Sequence, residues 1–258
     1  MALLELDRVD LIYQTEKSET EAVRDLSMSV DEGEFIALVG PSGCGKTTLL
    51  SMIAGLIPPT GGSIKVDGAE VTARSGIVGY MLQRDNLFEW RTIESNVLLG
   101  LSVQKKLTEE NRNYALGMLS KYGLGEFRDA YPTELSGGMR QRAALIRTLA
   151  FKPKILLLDE PFSAVDFQTR MTVCDDVYSI IKSERKTAVL VTHDISEAVS
   201  MADKIVVLTK RPATVKTVFN IDIDAPTPLA KRENPRFSEW FDRVWREVSQ
   251  NDSNIESQ

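Results

Sequence analysis

Gly40-Pro41-Ser42-Gly43-Cys44-Gly45-Lys46-Thr47 sets three glycines and a lysine ahead of two threonines, Thr47 and Thr48. The order matches the phosphate-cradling pattern G-x-x-x-x-G-K-[ST]. The glycines let the backbone turn tightly and bring its N–H groups to phosphate oxygens. A helix starting near Lys46 adds its positive dipole end, and Lys46 itself places a compact charge on β and γ oxygens. Thr47 offers a hydroxyl to Mg²⁺, and Thr48 a second one near the phosphates. Far downstream, the apolar run Ile155 to Leu158 closes on Asp159 and Glu160. One carboxylate at a strand end can hold Mg²⁺, directly or through water, and a second can polarise an attacking water. Phosphoryl transfer is mainly positioning and charge neutralisation, so such a pair suffices for nucleotide hydrolysis. Cys44 has two readings: a redox-sensitive thiol at a helix N-terminus, or a small filler, which its place in the loop favours.

Elements must hold these groups together. Leu4 to Val9 alternates apolar and polar as a half-buried strand does, while Phe35 to Val39 is a continuous apolar run leading into the loop. Thr47 to Leu56 reads as a helix stopped by Pro58 and Pro59. From Thr92 to about Tyr122 the pattern turns helical and more polar, which predicts an inserted helical subdomain over about 88–142. Further strands are expected at Ile155–Asp159, Thr187–Thr192 and Lys204–Thr209, with helices between them. Strands alternating with helices imply an α/β domain with a mostly parallel sheet covered on both faces. Ser136 can cap a helix beginning at Gly137-Gly138. Asp166 can cap one over Phe167–Arg185, whose Met171, Cys174, Val177 and Ile181 form a core-facing stripe. Asn234-Pro235 would start a last helix, to about residue 250, where Phe237, Trp240, Phe241, Val244, Trp245 and Val248 recur at helical spacing.

The phosphate loop, then Leu135-Ser136-Gly137-Gly138-Met139-Arg140-Gln141-Arg142, then the Asp159-Glu160 strand end together resemble the ATP-binding subunit of an ABC transporter. The resemblance runs from about Leu4 to about Lys210. It implies a single ABC-type ATPase domain over 1–258, with an N-terminal antiparallel β-subdomain beside the parallel core. It also implies site roles. Glu160 becomes the general base, Asp159 a metal-side acid, and Gln83 a sensor of Mg²⁺ and the γ-phosphate. His193, the one histidine in the chain, becomes the γ-phosphate switch. Tyr13 falls where relatives stack an aromatic on adenine, a contact worth roughly 1–3 kcal/mol. Ser136, Gly137 and Gly138 would contact ATP held by a second subunit, although Met139 stands where most relatives carry glutamine. Ser163-Ala164-Val165-Asp166 resembles the segment joining the two sites across that dimer. Leu87-Phe88, Trp90-Arg91-Thr92-Ile93 and Asn96-Val97 resemble the nitrate, sulfonate, taurine and bicarbonate importer branch. There, Phe88 and Trp90 either dock a membrane subunit or pack the helical subdomain.

The bounds agree with that class. The 258 residues can bury a sizeable core, and a net charge of −6 argues against a general nucleic-acid binder. No apolar run approaches the roughly 18 residues of a membrane span, and the N-terminus lacks a basic signal-peptide start. Cys44 and Cys174 cannot make a disulfide framework, which fits a reducing cytosol. Recruitment to the cytoplasmic face of the membrane by a permease is therefore expected, with ATP, a second copy or homologous ATPase, and indirectly a substrate-binding protein as partners. An ABC ATPase serving assembly or repair is the alternative; neither long coiled coils nor a second cassette supports it.

Overall fold

The computed structural model of the protein describes residues 2–14, 18–71 and 76–250. Two sheets carry the chain. β1 (Ala2–Gln14), β2 (Glu19–Asp31), β4 (Gly61–Val66) and β5 (Ala69–Glu70) form an antiparallel sheet in the order β2-β1-β4-β5. β3 (Phe35–Val39), β6 (Val78–Met81), β7 (Ile155–Asp159), β8 (Thr187–Val191), β9 (Lys204–Leu208) and β10 (Val215–Asn220) form the second, ordered β10-β9-β3-β8-β7-β6. Every pairing there is parallel except β10 against β9. The first strand is longer than its alternation predicts, because β1 pairs with both β2 and β4 along its length.

Strand periodicity splits the core into two layers. Phe35, Ala37, Val39, Leu156, Leu158, Ala188 and Leu190 face the layer beneath the helices. Their neighbours Ile36, Leu38, Ile155, Leu157, Val189 and Val191 face the antiparallel sheet and α1 (Lys46–Ile53). The continuous apolar runs are thus central strands buried on both faces. Cys174, Val177 and Ile181 of α5 (Phe167–Ser183) are buried as their stripe requires, while Met171 at its start is only half-buried.

α2 (Ile93–Val103), α3 (Glu109–Lys121) and α4 (Gly137–Leu149) make the helical insert, and α4 runs past residue 142 into the core layer. Glu184, at the end of α5, accepts from Tyr114 (3.2 Å), Lys121 (2.8 Å) and Tyr122 (2.5 Å), tying α3 to the sheet-bearing core. After α6 (Ile195–Met201) and α7 (Pro228–Glu233), α8 (Arg236–Ser249) buries Trp240 and Val244 in the helical layer. Its start is the one the sequence suggests: Asn234 is extended (ψ 132°), and Pro235 already has helical dihedrals (φ −55°, ψ −28°). Asn234 is thus the N-cap, its carboxamide accepting from the Arg236 N–H at 3.0 Å, with Pro235 the first helical residue.

The turn after the β6 end is pinned by one buried side chain. Asn96 Oδ1 accepts from Phe88 N at 2.7 Å, and Nδ2 donates to the carbonyls of Phe88, Arg91 and Thr92 at 3.1, 3.0 and 3.0 Å. The turn so fixed leaves Trp90 73% exposed, with the Phe88 ring 4.9 Å away. Packing of the insert is therefore not what Trp90 does. Asn96→Ala should lower the unfolding free energy by about 2 kcal/mol, because Phe88 N and the Arg91 carbonyl lose their partner away from water, while the Phe88 and Thr92 carbonyls keep bonds from Arg91 N and Asn96 N. Urea denaturation reads the change; a loss below about 0.5 kcal/mol would mean that water replaces the amide.

Candidate functional site

β3 ends at the loop 40–45, and α1 begins at once behind it. Gly43 (φ 70°) and Gly45 (φ 121°) sit in the left-handed region that favours glycine, and a Cβ on Gly45 would lie 3.2 Å from the Ala22 carbonyl. The first turn of α1 carries no acid, so its N–H end is not neutralised locally. Lys46 is buried and donates to the carbonyls of Gly40 (2.8 Å) and Pro41 (3.0 Å). Cys44 is also buried, its sulfur 3.9 Å from the Lys46 Nζ, so it fills the loop from within. Over this loop opens a cavity of about 580 Å³ lined by Ser42, Gly43, Gly45, Lys46, Thr47, Thr48, Glu160, His193 and Arg211. Tyr13, at the end of β1, stands beside it with its hydroxyl 3.5 Å from Thr48 Oγ1.

The sheet delivers the acids to the same place. Asp159 is the last residue of β7, and Glu160 adopts φ 45°, an uncommon backbone for a residue with a Cβ. That bend sends adjacent carboxylates to different partners. Asp159 accepts from Thr47 Oγ1 at 3.2 Å and from the Tyr80 hydroxyl at 3.1 Å. Glu160 Oε2 accepts from Gln83 Nε2 at 3.0 Å, and His193 Nδ1 lies 3.3 Å from the same oxygen. Burial raises the Asp159 carboxyl above its usual range, against the hydrogen bonds from Tyr80 and Thr47. The Tyr80 phenol is raised in turn, by burial and then by the charge of Asp159, and so stays a donor.

Thr47 bonds to Asp159 and Gln83 to the adjacent Glu160, so a hydroxyl, a carboxylate and a carboxamide, hard oxygens that suit Mg²⁺ completed by phosphate and water, are held at two consecutive residues. Two contributors were invisible in the sequence. Tyr80 looked like an ordinary strand residue, and its partner lies 79 positions away. Glu197 is buried and accepts from Thr192 Oγ1 at 2.6 Å, which fixes the turn that carries His193.

Ser136, Gly137, Gly138 and Asp166 do not line this cavity. Ser136 caps α4 by accepting from Met139 N at 3.3 Å, and Asp166 caps α5 by accepting from Thr169 N at 3.0 Å. Gly138 packs against α5 so closely that a Cβ would lie 2.9 Å from Val173 Cγ2. From α4, Arg140 donates to the Asp85 carboxylate (3.1 Å), while Arg147 donates to the carbonyls of Asn86 and Asp85, both at 2.6 Å. The segment after Gln83 is thereby attached to the helix that Ser136 caps.

Residues 23–163 match the family described as ABC transporter. An uncharacterized ABC transporter ATP-binding protein of Bacillus subtilis, YtlC, is 49% identical over 251 residues, covering 96% of each chain. The chain belongs to the ABC transporter family. It is an ABC-type ATPase subunit with the fold that the motif order implied. The nitrate import ATP-binding protein NrtD of Synechocystis is 38% identical over 247 residues, covering 93% of both chains, which agrees with the importer branch indicated by the sequence. Among solved cassettes, the dimeric post-hydrolysis structure of MJ0796 with ADP and Pi superposes with a TM-score of 0.71. It is 30% identical, over 84% of this chain and 98% of that one.

The raised Asp159 carboxyl makes a signed prediction for this ABC ATPase. A carboxyl with a raised folded-state pKa contributes stability that is full below the ordinary carboxylate range and lost as pH rises through the folded value. At neutral pH the buried charge is therefore a cost to the nucleotide-free fold. Asp159→Asn should raise the melting temperature of the nucleotide-free chain by about 2 °C at pH 7.5 and flatten its pH dependence. The same variant should lose the upward shift produced by Mg-ATP. Melting curves with and without Mg-ATP test both halves, and a lower melting temperature without nucleotide would refute the first.

Proposed function

We propose that the protein is the ATP-hydrolysing subunit of an importer, working as a pair that closes on two Mg-ATP and drives a partner permease. The observation that carries this reading is the convergence of Lys46, Thr47, Glu160 and His193 on one cavity, with Gln83 bonded to Glu160. The triphosphate would lie along the loop 40–45, with Lys46 and the start of α1 facing its charge. Thr47 and Asp159, with Gln83 beside them, would hold Mg²⁺, which supplies neutralisation of the β and γ oxygens. Glu160 accepts the proton of the attacking water as its oxygen bonds to the γ-phosphorus and the β–γ bridging bond breaks. Gln83 and His193 flank the carboxylate that does this, and Tyr13 is placed to cover the base.

Half of each site would come from the second chain. Exposed Ser136 caps the helix that begins with Gly137 and Gly138, outside the lining of this chain's own cavity, and Asp166 caps the adjoining helix. Exposed Trp90 beside Phe88 suits a hot-spot anchor for the membrane subunit. Among the described residues, no helix is long and apolar enough to cross a membrane, so attachment to the cytoplasmic face would run through the permease. The solute would reach that permease from a substrate-binding protein. A nitrate-like small anion is one solute class open to this subunit, by analogy with its relative NrtD.

Glu160→Gln should keep Mg-ATP binding, reduce hydrolysis by about a hundredfold or more, and trap an ATP-dependent dimer in size-exclusion chromatography. Adding Ser136→Arg should abolish that dimer while each monomer still binds ATP. Turnover near wild type in the assembled transporter would remove Glu160 from the role of base, and loss of monomer binding would place Ser136 in its own chain's site.

Trp90→Ala tests the dock. It should leave the melting temperature of the subunit unchanged, weaken co-purification with the permease, and separate ATP hydrolysis from uptake, as loss of about 2 kcal/mol of anchor would do. Unchanged permease affinity would sink the assignment.

A further inference from the structure

The connection between β9 and β10 is bound unusually firmly for a hairpin end. Thr209 N donates to the Thr214 carbonyl (3.0 Å), Thr214 N to Thr209 Oγ1 (2.9 Å), and Thr209 Oγ1 to the Pro212 carbonyl (3.1 Å). From the other side, β2 grips it: Ala213 N donates to Ala22 O at 2.9 Å and Arg24 N to Ala213 O at 3.1 Å. Ala213 is fully buried, 3.6 Å from where a Gly45 Cβ would stand, so the turn sits directly behind the phosphate loop. A turn held by both sheets can present a side chain with little freedom to move away.

The side chain it presents is Arg211. Its Nη2 donates to the Gly43 carbonyl at 2.8 Å, and it lines the nucleotide cavity together with Lys46. Among the described residues no carboxylate forms an ion pair with Arg211. A guanidinium offers five N–H donors in a planar fork suited to phosphate oxygens, and the Gly43 bond engages one nitrogen.

We propose that Arg211 is a second cationic contact for the polyphosphate chain of the bound nucleotide, presented from the β9–β10 turn across the loop from Lys46. The proposal rests on the reading of the cavity as the ATP site. A tie between turn and loop alone would hold the backbone and leave the charge without a role.

Isothermal titration of the full chain with Mg-ATP, Mg-ADP and AMP separates the two. Arg211→Ala should weaken Mg-ATP and Mg-ADP about tenfold and AMP much less, in keeping with loss of charge-assisted bonds to phosphates. It should also reduce the salt dependence of ATP binding. Arg211→Lys should keep the affinity within about threefold, and both variants should melt without nucleotide at the wild-type temperature. Wild-type affinity in Arg211→Ala would overturn the proposal. So would equal losses in the Ala and Lys variants accompanied by a lower melting temperature, which mark a tie only. Failure of the wild-type chain itself to bind Mg-ATP would instead overturn the reading of the cavity.

Discussion

The site depends on an ionisable carboxylate placed where the sheet is otherwise apolar. Four aliphatic residues lead β7 into the core, and Asp159 ends it, buried between Thr47 and Tyr80. Burial alone would favour the protonated acid. Two hydroxyl donors and the nearby Lys46 oppose that preference, so the carboxylate is held in a state that a cation would complete. The phosphate loop must then lie beside β7, and the parallel order of β3, β8 and β7 brings it there. Ligands of open α/β sheets bind beyond the carboxyl ends of the strands for this reason: loop, acids and His193 all emerge from one edge.

From that edge, polar contacts joined by short stretches of chain lead outward. Gln83 bonds to Glu160, Arg140 and Arg147 hold the following residues to α4, and Asn96 fixes the turn that exposes Trp90. The bonds of Gln83, Arg140 and Arg147 join residues 55 to 77 positions apart, while those of Asn96 close a local turn in protected surroundings. Such a series gives the nucleotide site and the insert a physical connection.

Much of this was legible because it is local. The apolar runs at Phe35–Val39 and Ile155–Leu158 have no polar positions to place on an outer face, so they read as central strands. Ser136 and Asp166 announce helix starts through chemistry that acts three residues away. What escaped were partners chosen by tertiary approach. Tyr80 and Glu197 carry no motif, and Arg211 lies in a turn whose place over the phosphate loop depends on β2, far upstream. The start of the last helix, by contrast, was legible for a local reason: the Asn234 carboxamide caps it and Pro235 supplies its first helical residue. Trp90 was ambiguous because an aromatic near an amphipathic helix reads the same whether it faces inward or out.

Gly138 has one further consequence. With no side chain between them, α4 and α5 meet almost backbone to side chain at Val173, leaving no room for a slide of even a methyl group. Ser136 and Asp166 cap these two helices, so their spacing is set by that contact as by a rivet. Any surface that approaches this face meets the hydroxyl and the carboxylate in a fixed interval, and a small excess of bulk at one glycine would put both out of step at once.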